Sequence, residues 1–286
     1  MKLSEARILL TGAAGGIGSA TALEFGRAGA SLLLTDMHAP ALQALAAELR
    51  AKGVEVDTVA ANIASADDRS DLVSRATTMR INTLVNVAGV NPFGWLTNQS
   101  EAEIELVFRI NTVAPVLLCK AMLQVLTTNA PGHIVNVGSA FGAIGFPGFA
   151  AYSASKFAMR GFSEALRREL GDTGIKVHYV APRATRTQLV TDRVRAMNEE
   201  LGVAMDPPQT VARAIATTLS TERRERAVGV PERLFAKLNG LLPAVIDRAL
   251  AKQLPTIRRY ATSGAARPSV PQQPLQINQP LQERTR

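Results

Sequence analysis

A strand-like run, Ala6 to Gly12, passes directly into the glycine-rich turn Thr11-Gly12-Ala13-Ala14-Gly15-Gly16-Ile17-Gly18 and then a helical segment. From there to about Val230, short β-branched or Leu-rich runs alternate with longer Ala-, Leu-, Arg- and Glu-rich segments at helical spacing. That alternation is what repeated βαβ units produce, and it limits the chain to a parallel sheet covered by helices on both faces. Strands are read near Ile8–Thr11, Ser31–Asp36, Val54–Ala60, Thr83–Val87, Gly132–Ser139, Lys176–Ala181 and Ala227–Val230. Helices are read near Gly16–Ala28, Pro40–Lys52, Asp67–Thr77, Glu101–Leu126, Ala150–Leu170 and Pro208–Ser220. The predicted fold class is α/β: a doubly wound, mostly parallel, seven-stranded Rossmann-like sheet over residues 1–230. Its ligands belong beyond the carboxyl ends of the strands.

After Pro231 the alternation stops. Two apolar rows recur at helical spacing, Leu234, Leu238, Leu241, Val245 and Ala249 in one and Phe235, Leu242, Ile246 and Leu250 in the other. Together they predict an amphipathic helical extension over 231–260, with Pro243 kinking it or splitting it into two short helices. Residues 261–286 turn to Pro, Gln, Ser and Ala, too little apolar surface to offset the entropy of ordering, and are expected to be disordered.

Composition removes several function classes. The net charge is +8, but the tail from Arg258 to Arg286, with five arginines against one acid, carries half of it. The rest is spread without an aromatic-interleaved basic stripe, so no nucleic-acid partner is expected. One cysteine excludes an internal disulfide framework, and three scattered histidines with that thiol give no usual zinc ligand set, so no metal is expected. No stretch of about 18 uncharged apolar residues argues for a spanning helix. With no signal-like h-region after Lys2, the expected setting is reducing and cytoplasmic. Cys119 reads as a small buried apolar group, and His38, His133 and His178 fit no ligand pattern.

Three local patterns carry chemistry. The glycines fall where a backbone must approach a pyrophosphate seated on a helix N-terminus. The second strand ends at Asp36, 18 residues after Gly18, where a carboxylate can accept from a ribose diol and repel a 2′-phosphate. NAD(H) is therefore favoured over NADP(H), although an acid capping a turn also fits the residue. Ser139 precedes Tyr152 by thirteen positions, and Lys156 follows Tyr152 by four, one helical turn along the same face. A phenol of pKa about 10 is a poor base near neutrality, and an adjacent ammonium favours its ionised form. In isolation, an ordinary exposed Tyr and Lys on an amphipathic helix is the favoured reading of that pair.

Taken in order, these motifs resemble the short-chain dehydrogenase/reductase family over about Ala6 to Val230. Thr11–Gly18 is similar to its TGxxxGIG, Asn86-Val87-Ala88-Gly89 to its NNAG, and Ser139, Tyr152 and Lys156 to its catalytic serine and YxxxK. Asn111 stands at its fourth catalytic position. The resemblance implies that Tyr152 is the general acid/base and that Ser139 orients the substrate oxygen. It implies that Lys156 binds the nicotinamide ribose and lowers the tyrosine pKa, and that Asn111 holds a relay water. It also implies cofactor contacts from Gly12, Gly16, Ile17, Gly18, Asp36, Asn62, Ile63, Asn86, Ala88 and Thr187, besides Tyr152 and Lys156. Departures are Asn62 for the usual Asp, Val87 for the second Asn, and Arg183 after Pro182 where glycine is common. Arg183 either shapes the substrate mouth or points to solvent.

Phe141, Ile144, Phe146, Pro147 and Phe149 lie just ahead of Tyr152, and Leu189, Val190, Val194, Met197, Leu201, Val203 and Met205 follow Thr187. The second stretch resembles the family's mobile lid, so an apolar small-molecule alcohol or carbonyl is the expected substrate, although core packing explains many of the same residues. The extension fits three roles: covering the cleft, packing on a second subunit of a homo-oligomer, or lying on an anionic membrane surface, with structural packing favoured. Rival readings are an NADP(H)-dependent carbonyl reductase, a non-catalytic nucleotide-binding protein, and a membrane-associated lipid oxidoreductase.

Overall fold

The computed structural model describes residues 1–229, 235 and 238–262. Seven strands, β1 (Arg7–Thr11), β2 (Ser31–Asp36), β3 (Val56–Ala60), β4 (Thr83–Asn86), β5 (Gly132–Val137), β6 (Ile175–Ala181) and β7 (Glu225–Ala227), form one sheet in the order β3-β2-β1-β4-β5-β6-β7. Every neighbouring pair is parallel. The order reverses between β1 and β4, and the register there sets Thr11 beside both Thr35 and Asn86. Those carboxyl ends diverge into the crevice where the functional groups gather.

Strand periodicity explains the layering. Ile8, Leu10, Leu32 and Leu34 point to one face and pack with Phe25 of α1 (Gly16–Arg27), Leu42 and Leu49 of α2 (Ala39–Ala51), and Ile215 of α8 (Pro208–Ser220). The intervening Leu9 and Leu33 point to the other face, against Leu72 of α3 (Ala66–Thr78), Leu118 and Met122 of α5 (Ala114–Thr128) and Leu166 of α6 (Ala150–Glu169). Strands buried on both faces read as continuous apolar runs, as LLL in β2 does.

The helix expected over Glu101–Leu126 is three pieces. α4 (Glu101–Phe108) starts on a capping box from Ser100 and Glu103, a π-turn spans Arg109–Val113, and α5 follows. Pro115 causes part of this, having no N–H to give the Asn111 carbonyl; the Ala114 N–H bonds to the Arg109 carbonyl instead. By length and apolar composition Glu101–Thr128 would suffice to cross a membrane. Its Leu118, Met122 and Leu126 lie in the sheet core, so it is a core helix here.

A helix not anticipated from the sequence, α7 (Asp192–Glu200), lies in the stretch after Thr187, capped by the Thr191 hydroxyl. Its periodicity is short and its sequence strongly charged, which hid it. The extension ends in α9 (Pro243–Thr262), which starts at Pro243 and so splits from the helical residues 238–241. The second piece is a long helix, since Pro at a helix start costs nothing. Of the two predicted apolar rows, Ile246 alone is buried among the described residues. Ile246, Ile257 and Ala261 are buried, whereas Leu241, Leu242 and Val245 are exposed. Leu234 and the expected disordered tail beyond Thr262 lie outside the described residues.

Candidate active site

The glycine turn is dictated by contact. Gly12 has φ +65°, and a Cβ there would sit 2.7 Å from the Ala88 Cα; a Cβ on Gly18 would sit 1.9 Å from the Gly12 carbonyl oxygen. A Cβ on Gly16 would press to 3.0 Å on Thr187, which places Thr187 over the start of α1. Gly15, at the N-cap, has no side chain to cap that helix. The Thr11 hydroxyl accepts from the Val87 and Ala88 amides and ties the ends of β1 and β4 together. Thus Gly12, Gly16, Gly18, Ala88 and Thr187 converge on one cradle, shaped for a close-lying polyphosphate at a helix N-terminus. Ile17 packs partly buried against the core beside it.

Asp36 faces this cradle from the end of β2. One carboxylate oxygen accepts from the Ala14 amide (3.0 Å) and the other from the His38 amide (3.0 Å). It therefore closes a turn and fixes the glycine loop, as the turn-capping reading of Asp36 expects, while remaining partly accessible. Asn62 folds back locally: its side-chain oxygen accepts from the Ala64 amide, and its own amide donates to Asp68. Ile63 is buried.

Asn86 departs from expectation. Its side-chain amide donates to Asn136 (2.9 Å) and to the Cys119 thiol (3.3 Å), deep between β4, β5 and α5, and Asn136 in turn donates to Ser163. The Asn86 side-chain amide braces the core, and its side-chain oxygen is buried without a partner. Cys119, for the same reason, is more than an apolar filler; burial pushes its thiol up to about 12.

The four catalytic candidates stand together. Ser139, extended at φ −163°, follows β5 and accepts from the Phe141 amide (3.1 Å). Burial raises the Tyr152 phenol above the ordinary 10, while interaction with the Ser139 side chain pulls it back. Lys156, one turn on, is 5% exposed and donates to the Val137 carbonyl (3.3 Å). Burial brings its ammonium down to about 8. Desolvation dominates the tyrosine, and the expected lowering by this lysine, 5.7 Å from the ring centroid, is not seen. Asn111 accepts from the Val90 amide (2.9 Å) and donates to the Val90 carbonyl (2.9 Å) and the Ser155 hydroxyl (3.1 Å). Its side chain is a brace, so a relay water would have to meet its backbone carbonyl. Gly89 makes room for both groups: a Cβ would lie 3.0 Å from the Asn111 side-chain oxygen and 3.6 Å from the Lys156 Nζ.

Around Tyr152 stands an aromatic wall. Phe141 stacks on Phe146 (4.9 Å) and meets Tyr152 edge-on (6.3 Å), while Phe149 meets Phe93 (4.9 Å) and Tyr152 (6.2 Å). Val194 and Met197 of α7 and Ile257 of α9 close the same cluster. Three residues of α9, Thr256, Arg259 and Tyr260, converge on Glu200 of α7, Tyr260 at 2.9 Å, and Arg258 stacks over Trp95 at 5.8 Å. Between α9 and residues 145–150 runs a groove of about 440 Å³ whose lining includes neither Tyr152 nor Ser139.

Several residues that shape the site carried no usable sequence signal. Tyr179, buried on β6, fills the space that a side chain at Gly138 or Gly142 would need, its hydroxyl 2.0 Å from a Cβ at Gly138. Arg183 neither lines the mouth unaided nor points to solvent. Its guanidinium makes a two-pronged pair with Asp206 (2.8 and 2.7 Å), where the backbone of 184–186 also bridges to Asp206. That pairing holds the loop carrying Thr187.

A family model described as short chain dehydrogenase matches residues 6–198. Estradiol 17-beta-dehydrogenase 11 of Homo sapiens is 30% identical over 267 residues, covering 88% of this chain and 86% of that protein. A 3-oxoacyl-[acyl-carrier-protein] reductase of Synechocystis is 34% identical over 197 residues, covering 67% of this chain and 77% of that protein. Among solved structures, a short chain dehydrogenase/reductase from Burkholderia phymatum in complex with NAD superposes with a TM-score of 0.79 at 22% identity, covering 86% of this chain and 96% of that one. A short chain dehydrogenase from Burkholderia cenocepacia in complex with NADP gives 0.73 at 27% identity, covering 80% and 98%.

Proposed function

Because the chain belongs to the short chain dehydrogenase family of NAD(P)-dependent oxidoreductases, we propose that it moves a hydride between NAD(H) and a secondary alcohol or ketone of apolar character. The observation that carries this reading is the meeting of Tyr152, Ser139 and Lys156 beside a glycine turn at the start of α1, where a helix N-terminus can receive a pyrophosphate. Gly12, Gly16, Gly18, Ala88 and Thr187 would hold the dinucleotide, with Asp36 at its adenosine ribose. When bound, the nicotinamide supplies or accepts the hydride.

The protein's own part is proton transfer and placement. In reduction the Tyr152 hydroxyl gives its proton to the substrate oxygen, and in oxidation it takes that proton. The Ser139 hydroxyl holds the same oxygen, so that charge developing there meets two donors. Burial works against a Tyr152 phenolate and the Ser139 side chain pulls against burial, while a charged Lys156 would favour the phenolate as it forms. The proton is replenished past Lys156, with a water on the Asn111 carbonyl, which Pro115 cannot engage, as the next station.

The Asp36 carboxylate supports NAD(H) over NADP(H), since a 2′-phosphate would approach an acid already committed to the loop amides. The aromatic wall supports an apolar substrate. Val113, Leu117 and Phe157, exposed on the π-turn, α5 and α6, form an apolar surface that supports a homo-oligomer. A single buried thiol supports a reducing, cytoplasmic setting. The test is turnover of a panel of secondary alcohols and ketones of graded polarity with NAD(H) and NADP(H). Activity confined to polar substrates, or to NADP(H), would overturn these finer assignments.

A further inference from the structure

The turn before α9 and the first turn of that helix present apolar side chains outward. Leu241 is 80% exposed, Leu242 56% and Val245 45%, and Phe235, earlier in the segment, is 47% exposed. Soluble surfaces scatter such residues singly; here Leu241, Leu242 and Val245 fall together at the start of α9. Three and seven residues after Val245, on the same stripe of α9, stand exposed Arg248 and Lys252, with Asp247 as the lone acid of the helix. The opposite row, Ile246, Ile257 and Ala261, is buried, so the outward face is not waiting to turn inward.

We propose that the start of α9 is a docking surface for an anionic lipid bilayer, with Leu241, Leu242 and Val245 entering the headgroup and acyl boundary and Arg248 and Lys252 meeting anionic headgroups. An apolar tip backed by a basic stripe is the arrangement an interfacial helix needs, apolar insertion and electrostatic attraction acting together. Charge decides against a second copy as occupant. The chain carries +8 overall, and self-association would bring one basic stripe against another. Docking there sets α9, and through Glu200 and Ile257 the lid helix α7, against the hydrocarbon source of an apolar substrate. The proposal rests on the surface alone and stands or falls separately from the catalytic reading.

The experiment is co-sedimentation of the full chain with vesicles of phosphatidylcholine alone and of phosphatidylcholine containing about 30% phosphatidylserine, at low and high salt. Wild type is compared with L241Q/L242Q and R248Q/K252Q. Far-UV circular dichroism and the thermal midpoint check folding, and sedimentation equilibrium reports mass. The expected result is binding to anionic vesicles at least roughly tenfold tighter than to neutral ones. It weakens about tenfold or more in each variant while fold and mass stay unchanged. Absence of binding to anionic vesicles would overturn the proposal. So would binding that L241Q/L242Q leaves intact, which would be unspecific attraction to a basic chain. A change in mass in that variant, without a change in vesicle binding, would identify a second copy as the occupant instead.

Discussion

Lys156 sits with its ammonium 5.7 Å from the ring centroid of Tyr152 and only 5% of its surface exposed, its Nζ donating to the Val137 carbonyl. Burying that charge lowers its pKa from 10.5 to about 8. The group binds a proton more readily in the unfolded chain, so below pH 8 the folded state carries a penalty, which is relieved as pH rises from about 8 towards 10.5. The catalytic cation is therefore held at a cost to stability. Lys156→Met removes the penalty and leaves the Val137 carbonyl without that donor. The expected net is a protein about 1–3 kcal/mol more stable at pH 7, with activity lost and the gain shrinking at alkaline pH. Thermal melts across pH check it; a lower midpoint at pH 7 contradicts it.

Asp36 both closes the glycine loop and faces the ribose position. Asp36→Ala is expected to shift the NADPH-to-NADH preference towards NADPH by roughly tenfold or more, since the repulsion it removes is a short-range charge–charge one. NADH binding itself weakens, because the Ala14 amide loses its acceptor. Dinucleotide titrations by fluorescence measure both, and an unchanged preference refutes the assignment of Asp36 as the discriminator.

His133 and His178 stack in the core of β5 and β6, ring nitrogens 3.1 Å apart. The other His178 nitrogen donates to the Arg223 carbonyl (2.7 Å), so His133 must donate within the pair. Burial lowers both, His133 to about 4. Their contribution to stability is complete above the unfolded value of 6.5 and is lost as pH falls towards about 4. His133→Leu is expected to flatten the fall in thermal midpoint between pH 6.5 and 4. A fall as steep as that of wild type would place acid lability elsewhere.

Ile257 is fully buried where α9 meets α7 beneath the aromatic wall. Ile257→Ala is expected to cost about 2–4 kcal/mol of local stability and to loosen the lid. An apolar substrate should then show a several-fold higher KM with a smaller change in kcat. Limited proteolysis should cut the region after α8 sooner. Equal KM values for wild type and variant would detach α9 from the substrate site.

The sheet was readable because buried parallel strands and the helices between them have distinct periods, and each expected strand lies within a few residues of an observed one. Glycine positions and the Tyr152–Lys156 spacing were readable because backbone approach and one helical turn leave fixed intervals. The π-turn at Asn111 was not, since Pro115 alone does not say whether a helix kinks, ends or widens. Nor was the Arg183–Asp206 pair, whose partners are 23 residues apart with no period linking them. The helical extension was found but not its buried side, since both expected rows hold exposed residues while Ile257 and Ala261 turn inward, which depends on α7, a helix too short and charged to be seen beforehand.

The central claim is that the Tyr152 hydroxyl exchanges the proton at the substrate oxygen. Steady-state turnover of an accepted ketone by Tyr152→Phe, alongside NADH affinity for the same variant, tests it most directly. The account predicts NADH binding within a few-fold of wild type and a turnover reduced by roughly 10²- to 10⁴-fold. Wild-type turnover in that variant, with its fold and NADH affinity intact, would contradict it.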